Sequence, residues 1–218
     1  MFVILLGPPG AGKGTQAKLL AEHLGVPAIS TGNLFRQEVA SGSELGRRVR
    51  SYIDAGQLVS DETTLSILSD RLSKSDAADG AVLDGFPRTV GQATALDRLL
   101  AARSRRVDRV LDVAVPENVL LERLTGRWTC PSCHASYHEI NATPRRPGIC
   151  DRCGSGLVQR VDDRAEAIQI RLRNYRERTR PLVDYYGQAG VLTEIDGDLD
   201  PKTVTRAMLK ATDSAATV

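Results

Sequence analysis

The sequence predicts an α/β fold, a doubly wound sheet of five mostly parallel strands. Three observations carry this. Short apolar runs begin near residues 2, 26, 81, 107 and 191, and segments with helical periodicity separate them. Such alternation suits parallel strands joined by crossover helices. The alternation lapses only twice, into helices without an intervening strand at about 30–59 and into a Cys-, Gly- and Pro-rich stretch at 127–163. Both read as insertions into one core. At 218 residues with 41% hydrophobic residues the chain is long enough for one sizeable domain,.

In order, Phe2-Val3-Ile4-Leu5-Leu6 is the first strand, and Thr15 to Leu24 a helix stopped at Gly25,. Val26 to Ile29 is a second strand. Ser30-Thr31-Gly32-Asn33 is rich in capping residues and leads into a helix from Leu34, followed by another over Ser43 to Ala55,. Ser60-Asp61-Glu62 opens the next helix with acids suited to its positive end,. Ala81 to Asp84 is a buried strand, Val90 to Ala102 a helix and Val107 to Val115 a strand. Pro116-Glu117 starts a helix whose basic end is expected to carry Arg123 and Arg127,. Beyond the second insertion a long helical stretch from Asp163 is expected to kink or divide at Pro181,. Val191 to Ile195 is the last strand and Pro201 to Lys210 the closing helix, with a polar tail expected to fray,.

Chemistry concentrates first at Gly7-Pro8-Pro9-Gly10-Ala11-Gly12-Lys13-Gly14-Thr15. It fits the phosphate-binding G-x-x-x-x-G-K pattern, and it lies between a buried strand and a helix, where that motif belongs. Glycines let successive N–H groups turn toward a phosphate, while the helix dipole and the Lys13 ammonium add positive charge. Gly14 rather than Ser or Thr follows the lysine, and the hydroxyl comes at Thr15. Magnesium is therefore expected to be held mainly by nucleotide phosphates and water. A second loop, Gly85-Phe86-Pro87-Arg88-Thr89, leaves the strand that ends on Asp84. Carboxyl ends of parallel strands are where ligands sit in open α/β sheets.

Cys130, Cys133, Cys150 and Cys153 form a C-x2-C-x16-C-x2-C array, a spacing suited to tetrahedral Zn²⁺,. Four thiolates complete a structural site, which leaves His134 and His138 without a ligand role. An insertion of this size buries little apolar area, so the metal is expected to supply its folding free energy. The net charge of +2 argues against a nucleic-acid or membrane surface,. No apolar run reaches the eighteen or so residues of a membrane span, and the first residues lack a secretory pattern,. A cytoplasmic protein is expected.

With these parts in view, nearly the whole chain resembles the long-lid bacterial adenylate kinases, of the subgroup with a zinc ribbon in the lid. The segments carrying the resemblance are the glycine loop, STGNLFR at 30–36, DGFPRT at 84–89, Gln92, LLERLTGR at 120–127, the four cysteines, QRVDD at 159–163 and Arg171. It implies a P-loop core of 1–29, 60–126 and 164–218, a nucleoside-monophosphate-binding insertion at 30–59 and a mobile lid at 127–163. Gly10, Ala11, Gly12, Lys13, Gly14 and Thr15, with Arg127, Ser136, Tyr137 and Leu199, look like the ATP site. Thr31, Arg36, Gln57, Leu58, Val59, Gly85, Phe86, Pro87, Arg88 and Gln92 look like the AMP pocket, joined by Arg160 and Arg171. Catalytic roles fall by the same resemblance to Lys13, Arg88, Arg123, Arg127, Arg160 and Arg171, with Asp84 similar to the family's magnesium-water anchor. Asp162 and Asp163 are similar to its lid-hinge acids. Two positions depart from the commonest pattern, Asn33 for aspartate and Gln57 for glutamate.

The activity implied is reversible phosphoryl transfer from Mg-ATP to AMP by a monomer. Physics supports such a set, since this chemistry asks for neutralised charge and in-line positioning more than for a strong base. Taken singly, each arginine reads equally well as a solvated surface residue in so arginine-rich a chain. Rival readings are a kinase for GMP, CMP or UMP, against which Thr31 and Gln92 speak, and a nucleic-acid-binding P-loop protein using the zinc ribbon.

Overall fold

The computed structural model describes residues 1–213. The first strand, β1 (Phe2–Leu6), is apolar throughout and lies at the centre of the sheet, buried on both faces. It is followed by α1 (Lys13–Leu24), β2 (Ala28–Ser30), α2 (Thr31–Ser41), α3 (Glu44–Asp54) and α4 (Asp61–Leu72). Next come β3 (Ala81–Asp84), α5 (Val90–Ala101), β4 (Arg109–Ala114) and α6 (Glu117–Thr125). The Cys-rich insertion holds β5 (Arg127–Thr129) and β6 (Ser136–His138), after which come α7 (Ala165–Asn174), α8 (Pro181–Gln188), β7 (Leu192–Asp196) and α9 (Pro201–Asp213).

Five strands pair in the order β2-β3-β1-β4-β7, all parallel. Alternate residues of β1 divide the core in two. Phe2, Ile4 and Leu6 pack with Leu68 and Leu72 of α4, Leu96 and Leu100 of α5, and Leu182 and Tyr186 of α8. Val3 and Leu5 pack with Leu20 of α1, Leu124 of α6, Ile168 and Leu172 of α7 and Met208 of α9. Helices cover both faces of β1, β3 and β4, which is why these strands read as largely apolar runs, while the edge strands keep exposed positions at Ala28, Glu194 and Asp196,.

The five expected strands form within two residues of their predicted places. Several helical details differ. The second helix begins at Thr31 rather than Leu34, with Ser30 in the N-cap place but without a side-chain capping bond. Arg127 is not on a helix: α6 stops at Thr125 and the chain turns through Gly126 into β5, where Arg127 pairs with His138. The long stretch after Asp163 divides before Pro181, through a π-helical turn at Tyr175–Thr179, and Pro181 opens α8 where its missing N–H costs nothing,. α9 runs past Lys210 to Asp213; the rest of the expected fraying tail, residues 214–218, lies outside the described residues.

Among the described residues the insertion at 127–163 has its own two-stranded antiparallel hairpin and a small core of Cys130, Ala135, Cys150 and Leu157. The insertion at 30–59 is the α2–α3 pair. Its close approach depends on Gly46, where an added Cβ would lie 2.0 Å from the Glu38 carbonyl oxygen. No helix among the described residues is long and apolar enough to cross a membrane.

Candidate active site

One cleft of about 820 Å³ opens at the carboxyl ends of β1, β2 and β3, walled by both insertions. Its floor is the loop between β1 and α1. There Gly7 (φ 131°) lies so near β4 that a Cβ would meet the Val113 carbonyl oxygen at 2.6 Å. Gly12, in the left-handed region, takes the N-cap place of α1 and leaves its first N–H groups turned to the loop,. Lys13 donates from Nζ to the carbonyls of Gly7 (2.6 Å) and Pro8 (2.8 Å). Burial brings its pKa down to about 8, and Arg88, Arg171 and Arg127 act in the same direction against Asp84. A partly buried ammonium held only by carbonyls favours an anion beside it,.

Arginines from separate segments surround the loop: Arg36 from α2, Arg88 after β3, Arg123 from α6, Arg127 from β5, Arg160 from the second insertion and Arg171 from α7. Burial lowers the Arg88 pKa, and the nearby Arg171 charge lowers it further. Arg160 is brought down to about 9, first by burial and then by Arg36 and Arg127. Arg36 is also lowered by burial, and its Nε is buried without a hydrogen-bond partner. Like charges are thus gathered at the expense of their own ionisation, an arrangement that a polyanion relieves.

Two carboxylates hold part of this charge. Asp163, only 3% exposed at its side chain, accepts from Arg127 Nε at 2.8 Å and again from Arg127 Nη2, and from Arg171 Nη1 at 2.7 Å. Burial pushes the Asp162 carboxyl up, but Arg171, Arg36 and Arg160 together hold it below the ordinary range. Asp84 ends β3 beside the loop, and its Oδ2 would lie 3.3 Å from a Cβ at Gly14. Any residue other than glycine after Lys13 would crowd that carboxylate.

On the other side of the cleft, Thr31 donates to the Gly85 carbonyl (2.8 Å), as does Arg88 Nε (2.8 Å). Gln92 is buried, its Oε1 accepting from the Arg88 backbone N–H at 2.7 Å and its Nε2 donating to Asp61 at 2.7 Å. The 127–163 insertion reaches this site through His134, whose carbonyl accepts from Lys18 of α1 at 3.2 Å. Gly10, Gly12, Gly14, Thr15, Gln57, Leu58, Val59, Gly85, Pro87, Ser136 and Tyr137 line the cleft as well. Three expected residues do not. Ala11 and Phe86 are buried in the hydrophobic cores, and Leu199 is 46% exposed in the turn between β7 and α9. Sequence reasoning read Asp61 only as a helix-start acid and passed over Lys18; their partners are distant in the chain, so no local signal marked them.

The four cysteine sulfurs lie within 4.8 Å of one another, with Cys130–Cys153 at 3.4 Å and Cys133–Cys150 at 3.5 Å. A tetrahedron of Zn–S bonds near 2.3 Å has edges of about 3.8 Å. The donors are all soft thiols, so the residues fit Zn²⁺. Each pair sits on a tight knuckle, closed by the Cys130 N–H to the Ala135 carbonyl and the Cys150 N–H to the Ser155 carbonyl. His138 is no ligand: its Nδ1 accepts from the N–H groups of Ile140 and Asn141, and its Nε2 faces the Glu122 carbonyl.

A family model described as adenylate kinase matches residues 5–191. Among curated relatives, the adenylate kinase of Moorella thermoacetica is 52% identical over 90% of this chain and 91% of its own length. That of Clostridium tetani is 50% identical over 94% of both chains, and that of Archaeoglobus fulgidus 48% over 92% of both.

Proposed function

The chain belongs to the adenylate kinase family, and from that premise we propose that it transfers the terminal phosphoryl group of ATP reversibly to AMP, giving two ADP. The observation that carries this is a phosphate loop and six arginines converging on one cleft from the core and from both insertions. A single nucleotide triphosphate would not need so many separate cationic arms, whereas two nucleotides meeting phosphate to phosphate would.

In this reading the glycine loop and Lys13 hold the donor phosphates, with Arg123 and Arg127 beside them and Ser136 and Tyr137 around the nucleoside, while Leu199, outside the cleft wall, is left at its rim. Thr31, Arg36, Gln57 to Val59, Gly85 to Arg88 and Gln92 hold the acceptor. Arg88, Arg160 and Arg171 stabilise the charge on the group in transit. An acceptor phosphate oxygen is already anionic, so no side chain has to remove a proton. The new P–O bond forms to that oxygen as the bond to the β–γ bridging oxygen breaks, and the leaving group departs as the ADP phosphate. Magnesium bound with ATP supplies charge neutralisation at the phosphates, and Asp84 with the Thr15 hydroxyl are the side chains suited to hold its water shell. The segments 30–59 and 127–163 act as covers over a core of 1–29, 60–126 and 164–218, keeping water from the phosphoryl group. The four cysteines hold Zn²⁺ as a structural staple. We read the protein as a cytoplasmic monomer that needs neither nucleic acid nor membrane.

The test is a coupled assay with Mg-ATP and AMP, GMP, CMP and UMP in turn. Brisk turnover with AMP alone is expected; equal turnover with another monophosphate, or none with AMP, defeats the reading.

A further inference from the structure

Gln92 is only 2% exposed, yet both ends of its amide are tied. The Arg88 backbone N–H donates to Oε1 at 2.7 Å, and Nε2 donates to Asp61 Oδ1 at 2.7 Å. Asp61 is itself fixed, because its Oδ2 accepts from the Thr89 hydroxyl at 2.9 Å, and that hydroxyl oxygen in turn caps α5 by accepting from the Gln92 N–H at 3.1 Å. A backbone N–H can only donate and an ionised carboxylate can only accept. Rotating the amide by half a turn would set Nε2 against a donor and Oε1 against an anion, so both ends oppose the flip. Each amide atom keeps one unused position, a lone pair on oxygen and an N–H on nitrogen, and Gln92 lines the cleft with Thr31, Leu58 and Val59,.

We propose that Asp61 is a specificity-determining positioning residue, locking the Gln92 amide so that the acceptor site takes a 6-amino purine and rejects a 6-oxo purine. This deepens the proposed function and rests on its placing of the acceptor base at Gln92. Adenine offers a donor at N6 beside an acceptor at N1, which one amide in the fixed orientation meets with both atoms. Hypoxanthine and guanine offer the reverse order, an acceptor at O6 beside a donor at N1, which the same amide meets only after flipping. Uracil shares the reversed order. Cytosine shares adenine's order, so the lock does not separate it, and its smaller ring must be rejected by size. Without Asp61 the amide would be held at one end only.

The experiment compares AMP with IMP, which differ at this edge and nowhere else, in the full-length protein and in Asp61→Asn. Asparagine keeps the shape but can present a donor or an acceptor, so the lock loosens without a change of volume. In wild type AMP should be much the better acceptor. In the variant the ratio of kcat/KM for IMP over AMP should rise about tenfold, the scale of one hydrogen bond to a charged group, through a higher KM for AMP and with the KM for ATP unchanged. A purely structural role at the start of α4 would lower both acceptors together and leave the ratio where it was, and that result overturns the proposal. Failure of the wild type to phosphorylate AMP would instead remove the underlying assignment of the cleft.

Discussion

Replacing Asp163 by Asn removes one negative charge from between Arg127 and Arg171 at almost unchanged volume. The carboxylate is nearly inaccessible and the two arginines are 16% and 17% exposed at their side chains, so solvent screens little of the loss. Breaking a buried ion pair from one side costs about 3–5 kcal/mol. An asparagine oxygen can still accept from one arginine, which places the cost here at about 3 kcal/mol. For a chain of this length that corresponds to a fall in Tm of about 6–12 °C, measured by circular dichroism without nucleotide. Polyphosphate oxygens can take over the partners Asp163 gave up, so saturating inorganic tripolyphosphate should raise Tm more in the variant than in wild type. A Tm within 2 °C of wild type, or a tripolyphosphate shift no larger than the wild-type one, would refute the view that Asp163 stands in for substrate phosphate.

Other perturbations follow from the same geometry. Lys13→Met should reduce turnover by about 10²–10³-fold, yet be more stable than wild type at pH 7. Burial lowers the folded-state pKa of Lys13 from 10.5 to about 8, so its charge opposes folding below pH 8 and the wild type recovers on the order of 3 kcal/mol as pH rises to about 10.5. Urea unfolding of both proteins at pH 7 and pH 10 should show the gap closing. Zinc removal should expose 127–163 to proteolysis while the far-ultraviolet circular dichroism of the core persists; an unchanged digestion pattern after verified metal loss would count against the staple. Gly46→Ala forces α2 and α3 apart against backbone atoms, at about 2–4 kcal/mol confined to that pair, and should raise the KM for AMP far more than that for ATP in steady-state kinetics.

The strands, the phosphate loop and the cysteine array were legible because each is written locally, in apolar runs, in glycines beside a lysine or in fixed Cys spacing. Arg127 was misplaced onto a helix because basic residues are equally at home in a last helical turn and on a short strand, and only the pairing with His138 decides. The π turn at Tyr175–Thr179 shifts the apolar phase by one residue, about 100°, but α7 and α8 on either side, at 10 and 8 residues, are too short for a periodic pattern to fix their phases separately,. The Asp163–Arg127 pair and the Asp61–Gln92 tie were beyond reach for another reason. They join residues 31 or 36 positions apart whose types are common on any surface.

The central place of β1 has a consequence for synthesis. Phe2–Leu6 leaves the ribosome before both of its partners in the sheet, Ala81–Asp84 and Arg109–Ala114. At 5–20 residues per second the first partner follows about 4–15 seconds later. During that interval five apolar residues with both edges unpaired are exposed to other nascent chains,. A stretch buried along its whole length in the finished enzyme is therefore one that calls for a chaperone while it is made.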